Sequence, residues 1–143
     1  MKKRNNSNDN WQTPVEFYNK LNDEFNFDFD PCPYNENLIN KENDGLLIDW
    51  GKSNFVNPPY SRKLKESFVL KAIEMAKIGK LSVMLLPVST STNLFHNHIL
   101  PNAHEIRFIK GRIKFIGKNI NNEYVNNKTG MHDSMLVIFK PKK

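Results

Sequence analysis

Residues Leu81 to Leu86 read Leu-Ser-Val-Met-Leu-Leu, a short and nearly continuous apolar run. Such a run is a strand buried on both faces, and burial on both faces calls for a parallel sheet with helices packed above and below it. The residues before it supply the crossover. After Ser61, which suits a cap, Leu64, Phe68, Ala72 and Ala76 recur at helical spacing. Gly79 can end that helix in a left-handed conformation, with Lys77 and Lys80 at its negative end. Upstream lies a further short apolar run, Ser53-Asn54-Phe55-Val56. Strand, helix, strand in this order is a βαβ unit. The expected class is therefore α/β, with a mainly parallel central sheet, helices on its faces and an antiparallel strand near the C-terminus at Ser134 to Phe139.

The rest of the chain fits around this unit. Residues 1 to 10 are polar, basic and Asn-rich, and read as a disordered arm; residues 11 to 143 read as a single domain. Thr13 can cap a helix, with Pro14 in its first position and Glu16 completing a capping box. Phe17, Leu21 and Phe25 give that helix one buried stripe, to about Phe25. Phe27-Asp28-Phe29-Asp30 alternates as a short strand would, and Pro31 stops it. Gly45 to Trp50 is a second apolar run ending in an acid. Thr92 to Leu100 suits a short helix, Glu105 to Ile109 and Arg112 to Ile116 suit strands, and the Asn-rich residues 117 to 131 read as a loop.

With 143 residues there is room for one modest core. No apolar stretch approaches the roughly 18 residues that cross a bilayer. The single cysteine, Cys32, cannot make an internal disulfide, so a cytoplasmic location is the expectation. Net charge is unevenly spread: about −5 over residues 1 to 50 and +11 over 51 to 143. A basic half of that size suits a polyanionic partner, because cations near phosphates release condensed counterions.

The chemistry concentrates in Asn57-Pro58-Pro59-Tyr60, directly after a predicted strand. Methylating an exocyclic amine requires a nitrogen lone pair to leave conjugation with the ring. The Asn57 side-chain oxygen and the Pro58 carbonyl can each accept one amine hydrogen and so turn the lone pair toward an electrophile. Consecutive prolines hold these acceptors rigid. Tyr60 offers a ring on which a base can stack. A sulfonium methyl donor releases a neutral leaving group, so no metal is required. In isolation Asn-Pro-Pro-Tyr also reads as a simple turn, but the carboxyl end of a strand feeding a helix is where α/β sheets bind ligands.

On these residues the sequence resembles the phage-type DNA N6-adenine-methyltransferases, within the amino-methyltransferases that use S-adenosylmethionine. The likeness runs from Trp11 to Phe139. It rests on Trp11-x-Thr13-Pro14, Phe27-x-Phe29-Asp30-Pro31-Cys32, Asp49-Trp50, Asn57-Pro58-Pro59-Tyr60, Leu85-Leu86-Pro87, Lys110-Gly111-Arg112-x-x-Phe115 and Ser134-Met135-Leu136-Val137. The resemblance implies an abbreviated Rossmann-like methyltransferase fold and S-adenosylmethionine as cofactor. It further implies transfer of a methyl group to adenine in DNA, the base being flipped out of the duplex. It places Trp11, Thr13, Asp30, Pro31, Cys32, Asp49 and Asn57 near the cofactor and makes Asn57, Pro58 and Tyr60 catalytic. It puts Pro59, Tyr60, Lys110, Arg112 and Phe115 against DNA.

The departures are specific. No glycine-rich turn follows Asp30, and about ten residues separate Tyr34 from Gly45, too few for the full cofactor half; Glu36, Glu42 and Asp44 are the candidates for a ribose-binding acid. After Pro87 the phage family often carries an arginine, where this chain reads Val88-Ser89-Thr90-Ser91-Thr92. His96 and His98 lie two apart and face different sides of a helix, so no metal site is expected. Sequence discrimination, if any, falls to residues 34 to 44 and 116 to 131 or to a second subunit; a homo-oligomer stays open. Rival readings are methylation of a cytosine amine, of RNA or of a protein glutamine, and a silent DNA-binding protein that holds no cofactor.

Overall fold

A computed structural model describes residues 11–32, 44–118, 124–125 and 132–141. The expectations for residues 1–10, for most of 34–44, including Glu36 and Glu42, and for most of 119–131 lie outside the described residues. In chain order the elements are β1 (Trp11–Gln12), α1 (Val15–Phe25), β2 (Ser53–Val56), α2 (Arg62–Lys77) and β3 (Leu81–Pro87). A π-helical segment (Leu94–Ile99) then runs into α3 (Leu100–Asn102), followed by β4 (Glu105–Phe108), β5 (Ile116–Lys118), β6 (Tyr124–Val125) and β7 (Ser134–Phe139).

The central sheet has the order β2-β3-β7-β4. β2 and β3 are parallel neighbours, with Ser53 opposite Leu81 and Val56 opposite Met84, and α2 forms the crossover between them. β7 inserts antiparallel between β3 and β4. Both antiparallel pairings thus belong to one strand, and β2, β3 and β4 all run the same way. Phe29 adds a parallel bridge to Asn54 at the other side. The expected α/β class and antiparallel C-terminal strand form, but the sheet is mixed rather than mainly parallel: of its three strand pairings only β2 with β3 is parallel, because β7 inserts between β3 and β4 instead of lying at an edge.

The apolar runs are explained by which side each residue faces. Along β3, Met84 and Leu86 join Val56, Phe68, Met75, Phe95, Met135 and Val137 on the side of α2. Val83 and Leu85 join Leu21, Phe55, Leu136 and Ile138 on the side of α1. Both faces are covered, so β3 has no polar alternation to display. Phe68 is fully buried on the α2 side, and truncating it to Ala would cost about 3–5 kcal/mol.

Several local expectations are corrected. Pro14, with φ −57° and ψ 140°, occupies the capping position of α1, and no side chain caps the helix; the capping box of Thr13 and Glu16 does not form. Phe27 to Asp30 contributes a single bridge rather than a strand, because the Asp28 carboxylate turns to the backbone amides of Lys52 and Ser53. Gly45 to Trp50 begins with a turn: Asp44 Oδ1 accepts from Leu46 N at 2.9 Å and its carbonyl from Leu47 N at 2.8 Å, a local alternative to strand pairing. Residues 112–115 keep a strand's alternation, with Ile113 and Phe115 buried and Arg112 and Lys114 exposed, yet pairing starts only at Ile116, where β1 lies alongside. Part of the predicted loop is instead paired, β5 with β6. Gly79 ends α2 as expected, at φ 95°.

Because β2, β3 and β4 share a direction, the loops that follow them leave from one edge, where the Phe29 segment also ends. That edge holds Asp30 and Asn57 and starts the loops that carry Tyr60, Lys110 and Arg112, whereas Asp49 precedes β2.

Candidate active site

Asn57 is the first residue beyond β2. Its Nδ2 donates to Thr13 Oγ1 at 3.1 Å, a bond between residues 44 apart in sequence. Thr13 is buried, and since it does not cap α1 its hydroxyl is available as this acceptor. The bond orients the amide, setting Oδ1 on the side away from Thr13. Pro58 and Pro59 are buried, so their carbonyls sit on backbone held by both ring closure and packing.

Tyr60 follows, with its ring centroid 6.0 Å from that of Phe115 in an edge-on arrangement at 88°. Burial pushes its phenol well above the ordinary tyrosine range. The hydroxyl finds no hydrogen-bond partner among the described residues. Phe115 belongs to the core on the α1 side, so these two predicted DNA-facing rings contact each other.

Asp30 lies on the neighbouring segment. The bridge from Phe29 to Asn54 sets Asp30 beside Phe55, and Asn57 is two residues, roughly 7 Å, further along the same direction. Asp30 Oδ1 accepts from Cys32 N at 2.8 Å. Burial pushes the carboxyl up to about 6, and the Cys32 amide opposes that rise in part. Yet the residue keeps a solvent-exposed surface. The carboxyl is thus partly desolvated by the protein around it while one side stays open to solvent. Tyr18, on α1, stands close enough to feel that charge: burial and then Asp30 raise its phenol. Pro31 is buried, and a Cβ on Gly45 would stand 2.1 Å from its carbonyl oxygen, so only glycine lets the 44–50 segment pack beneath this turn. Gly45 O in turn accepts from Trp50 Nε1 at 2.7 Å.

The structure thus joins Thr13 to Asn57, Cys32 to Asp30 and Tyr60 to Phe115. Trp11 enters through its backbone pairing with Gly117. Asp49 is exposed and makes no hydrogen bond to another predicted site residue. Lys110 and Arg112 flank Gly111, which turns the chain at φ 77°; both are exposed, and Arg112 Nε meets Asp133 Oδ1 at 3.2 Å.

Two residues escaped the sequence reading. Tyr18 stands three positions before Leu21 and so shares its buried stripe. Asn54 is completely buried: its Oδ1 accepts from Gly51 N at 2.8 Å, and its Nδ2 donates to Gly51 O and Leu81 O, both at 2.9 Å. It locks the turn before β2 to the start of β3. Its signal was a polar side chain inside an apolar run.

Among the described residues no group of three His, Cys, Asp or Glu side chains is arranged to hold a metal, and no helix is long and apolar enough to cross a membrane. A family model described as DNA N-6-adenine-methyltransferase (Dam) matches residues 1–143. No curated protein and no solved structure matches the chain.

Proposed function

Given that the chain belongs to the DNA N-6-adenine-methyltransferase (Dam) family, we propose that it methylates the exocyclic amine of an adenine flipped out of DNA, using S-adenosylmethionine. The observation that carries this reading is the Asn57 amide, oriented by Thr13 at the carboxyl edge of β2 and followed by two buried prolines.

The charge of the cofactor suits Asp30. A desolvated carboxylate has poor hydration to give up and gains most from a cationic partner, and the donor is a cation. Asp30, Pro31 and Cys32 would hold it, with Thr13 and Asn57 at the neighbouring strand end. When bound, S-adenosylmethionine supplies a sulfonium methyl group whose leaving group departs neutral.

The residues of the chain supply orientation. Asn57 Oδ1 and the Pro58 carbonyl accept the two amine hydrogens, which draws the nitrogen toward a tetrahedral shape and aims its lone pair toward the methyl donor. Both acceptors are in place beforehand, so the protein has little to reorganise as charge develops on the nitrogen. No strong base is required, because the amine's extra proton leaves after transfer. Pro59 and Tyr60 bound the space for the base, while Lys110 and Arg112 lie at the same edge for the backbone. Phe115 acts through Tyr60, as the ring that supports it.

The test is incubation of the purified protein with duplex DNA and isotope-labelled S-adenosylmethionine, followed by mass spectrometry of the nucleosides. Label is expected in N6-methyladenine. Label in a cytosine amine, in RNA or in protein glutamine, or no transfer at all, overturns the proposal.

A further inference from the structure

A cavity of about 390 Å³ opens at the same edge, between the start of α2 and the chain that follows β3. Arg62 and Lys65 line it from α2, and Ser89, Thr92 and Asn93 from the opposite wall. Arg62 and Lys65 are three residues apart and therefore neighbours on the helix surface. Glu66 also borders the cavity, but among the described residues neither cation has an ion pair with it or with any other carboxylate. Lys65 is held below the ordinary lysine range by burial and then by the positive charge of Arg62. Two like charges thus share a partly enclosed space with a single carboxylate, Glu66, that pairs with neither of them.

The opposite wall offers donors. Thr92 is spent locally, its hydroxyl donating to Ser89 O and accepting from Phe95 N, both at 3.1 Å. The Ser89 hydroxyl and the Asn93 amide have no such bond among the described residues. Cations on one wall and neutral donors on the other match a tetrahedral oxyanion. Arg62 lies two residues beyond Tyr60, and Ser89 two beyond the end of β3, so the cavity adjoins the motif that would receive the base.

We infer that this cavity seats a phosphodiester of the DNA strand beside the extruded adenine, held by Arg62 and Lys65 with Ser89 and Asn93 opposite, an inference that rests on the DNA-methyltransferase reading above. The site anchors the distorted backbone close to the flipped base, where Lys110 and Arg112 hold it further along the edge. It carries no sequence information of its own.

The experiment measures duplex binding by the full chain as a function of salt, with methyl transfer and S-adenosylmethionine affinity read on the same samples. In the R62Q/K65Q variant, duplex binding is expected to weaken about tenfold near 0.15 M salt. The slope of log affinity against log salt should become shallower by about 1, the loss of one phosphate contact. Cofactor affinity should hold. The R62K/K65R variant keeps both charges and is expected to behave as wild type, while S89D, which sets a negative charge across the cavity, should lose affinity independently. An unchanged slope in R62Q/K65Q, or equal losses in the charge-keeping variant, overturns the assignment while wild-type methylation still upholds the enzyme reading. Wild type that neither binds nor methylates DNA overturns that reading itself. A parallel titration with inorganic phosphate separates the sources: saturable binding abolished by R62Q/K65Q, together with an unchanged duplex slope, assigns the cavity to free phosphate and overturns the phosphodiester.

Discussion

The carboxyl edge of the sheet carries two polar regions built on opposite principles. Around Thr13, Asn57 and Asp30 the polar groups are fixed by directed hydrogen bonds, the Asn57 amide to the buried Thr13 hydroxyl and the Asp30 carboxylate to the Cys32 backbone amide. Around Lys110 and Arg112 the charges stand in solvent, and the ion pair of Arg112 with Asp133 joins two largely exposed side chains. The first arrangement suits bond-making, where a fixed acceptor in a desolvated setting acts strongly and pays no reorganisation. The second suits a polyanion, where gain comes from displaced counterions and tolerates imprecise geometry. Disturbing the first should therefore change rates and cofactor affinity steeply, and disturbing the second should change DNA affinity gently and with strong salt dependence.

The largest expected effect is at Asn57. Asn57→Ala should lower the single-turnover rate by about 10² to 10³ while calorimetry finds cofactor affinity nearly intact. A rate close to wild type would erase the contrast between the two regions. Asn54→Leu attacks the framework beneath it, leaving the Gly51 amide and the Gly51 and Leu81 carbonyls without their partner. A loss of about 2–3 kcal/mol in denaturant unfolding is expected.

Asp30 connects the contrast to pH. Its carboxyl titrates near 6 when folded, above the ordinary value of 3.8. Between these values the native state binds more protons than the unfolded one, so this group's contribution to stability declines as pH rises through the window and stays low above it. Affinity for the cationic cofactor should run the other way, falling as pH drops below about 6. Asp30→Asn should raise the melting temperature at pH 8, weaken cofactor binding there and flatten the pH dependence of affinity, all readable by calorimetry. A pH-independent affinity in the wild type would remove the carboxylate from the cofactor's surroundings.

Thr13→Val keeps the shape but removes the acceptor for Asn57 Nδ2. One neutral hydrogen bond is worth about 0.5–1.5 kcal/mol, so the rate should fall up to about tenfold with DNA affinity unaffected. The smallest effect belongs to the exposed region. Arg112→Gln should weaken duplex binding by roughly threefold and make the salt slope shallower by about 1, with single-turnover chemistry at saturating DNA unchanged. A change in chemistry without a change in slope would move Arg112 from the second region into the first.

Much of this edge was legible in the linear chain. The strand before Asn57, the helix after Ser61 and the doubly buried β3 follow from spacing alone, since a period of two or of 3.6 is a local property of the backbone. Asp30 at the end of its segment was equally readable, because Pro31 cannot extend a ladder. Thr13 was not. Its cap-like context is satisfied by Pro14 instead, and its true partner lies 44 residues away. Nor was the contact of Tyr60 with Phe115, which requires β4 to return the chain to the α1 side of the sheet. The pairing of β5 with β6 was hidden for the same reason: its residues have turn-forming chemistry, and only a neighbouring strand makes them a ladder.

What the amino acids determined alone is α1, the β2-α2-β3 unit, β4, β7 and the chemical identity of the motif, because periodicity, proline geometry and amide chemistry act within a few residues. Tertiary structure decided the insertion of β7 between β3 and β4, the desolvation that raises Asp30, the tie from Thr13 to Asn57 and the burial that lowers Lys65. Each of these depends on which distant atoms exclude water from a group or fill its hydrogen-bonding capacity, and distance along the chain carries no information about that.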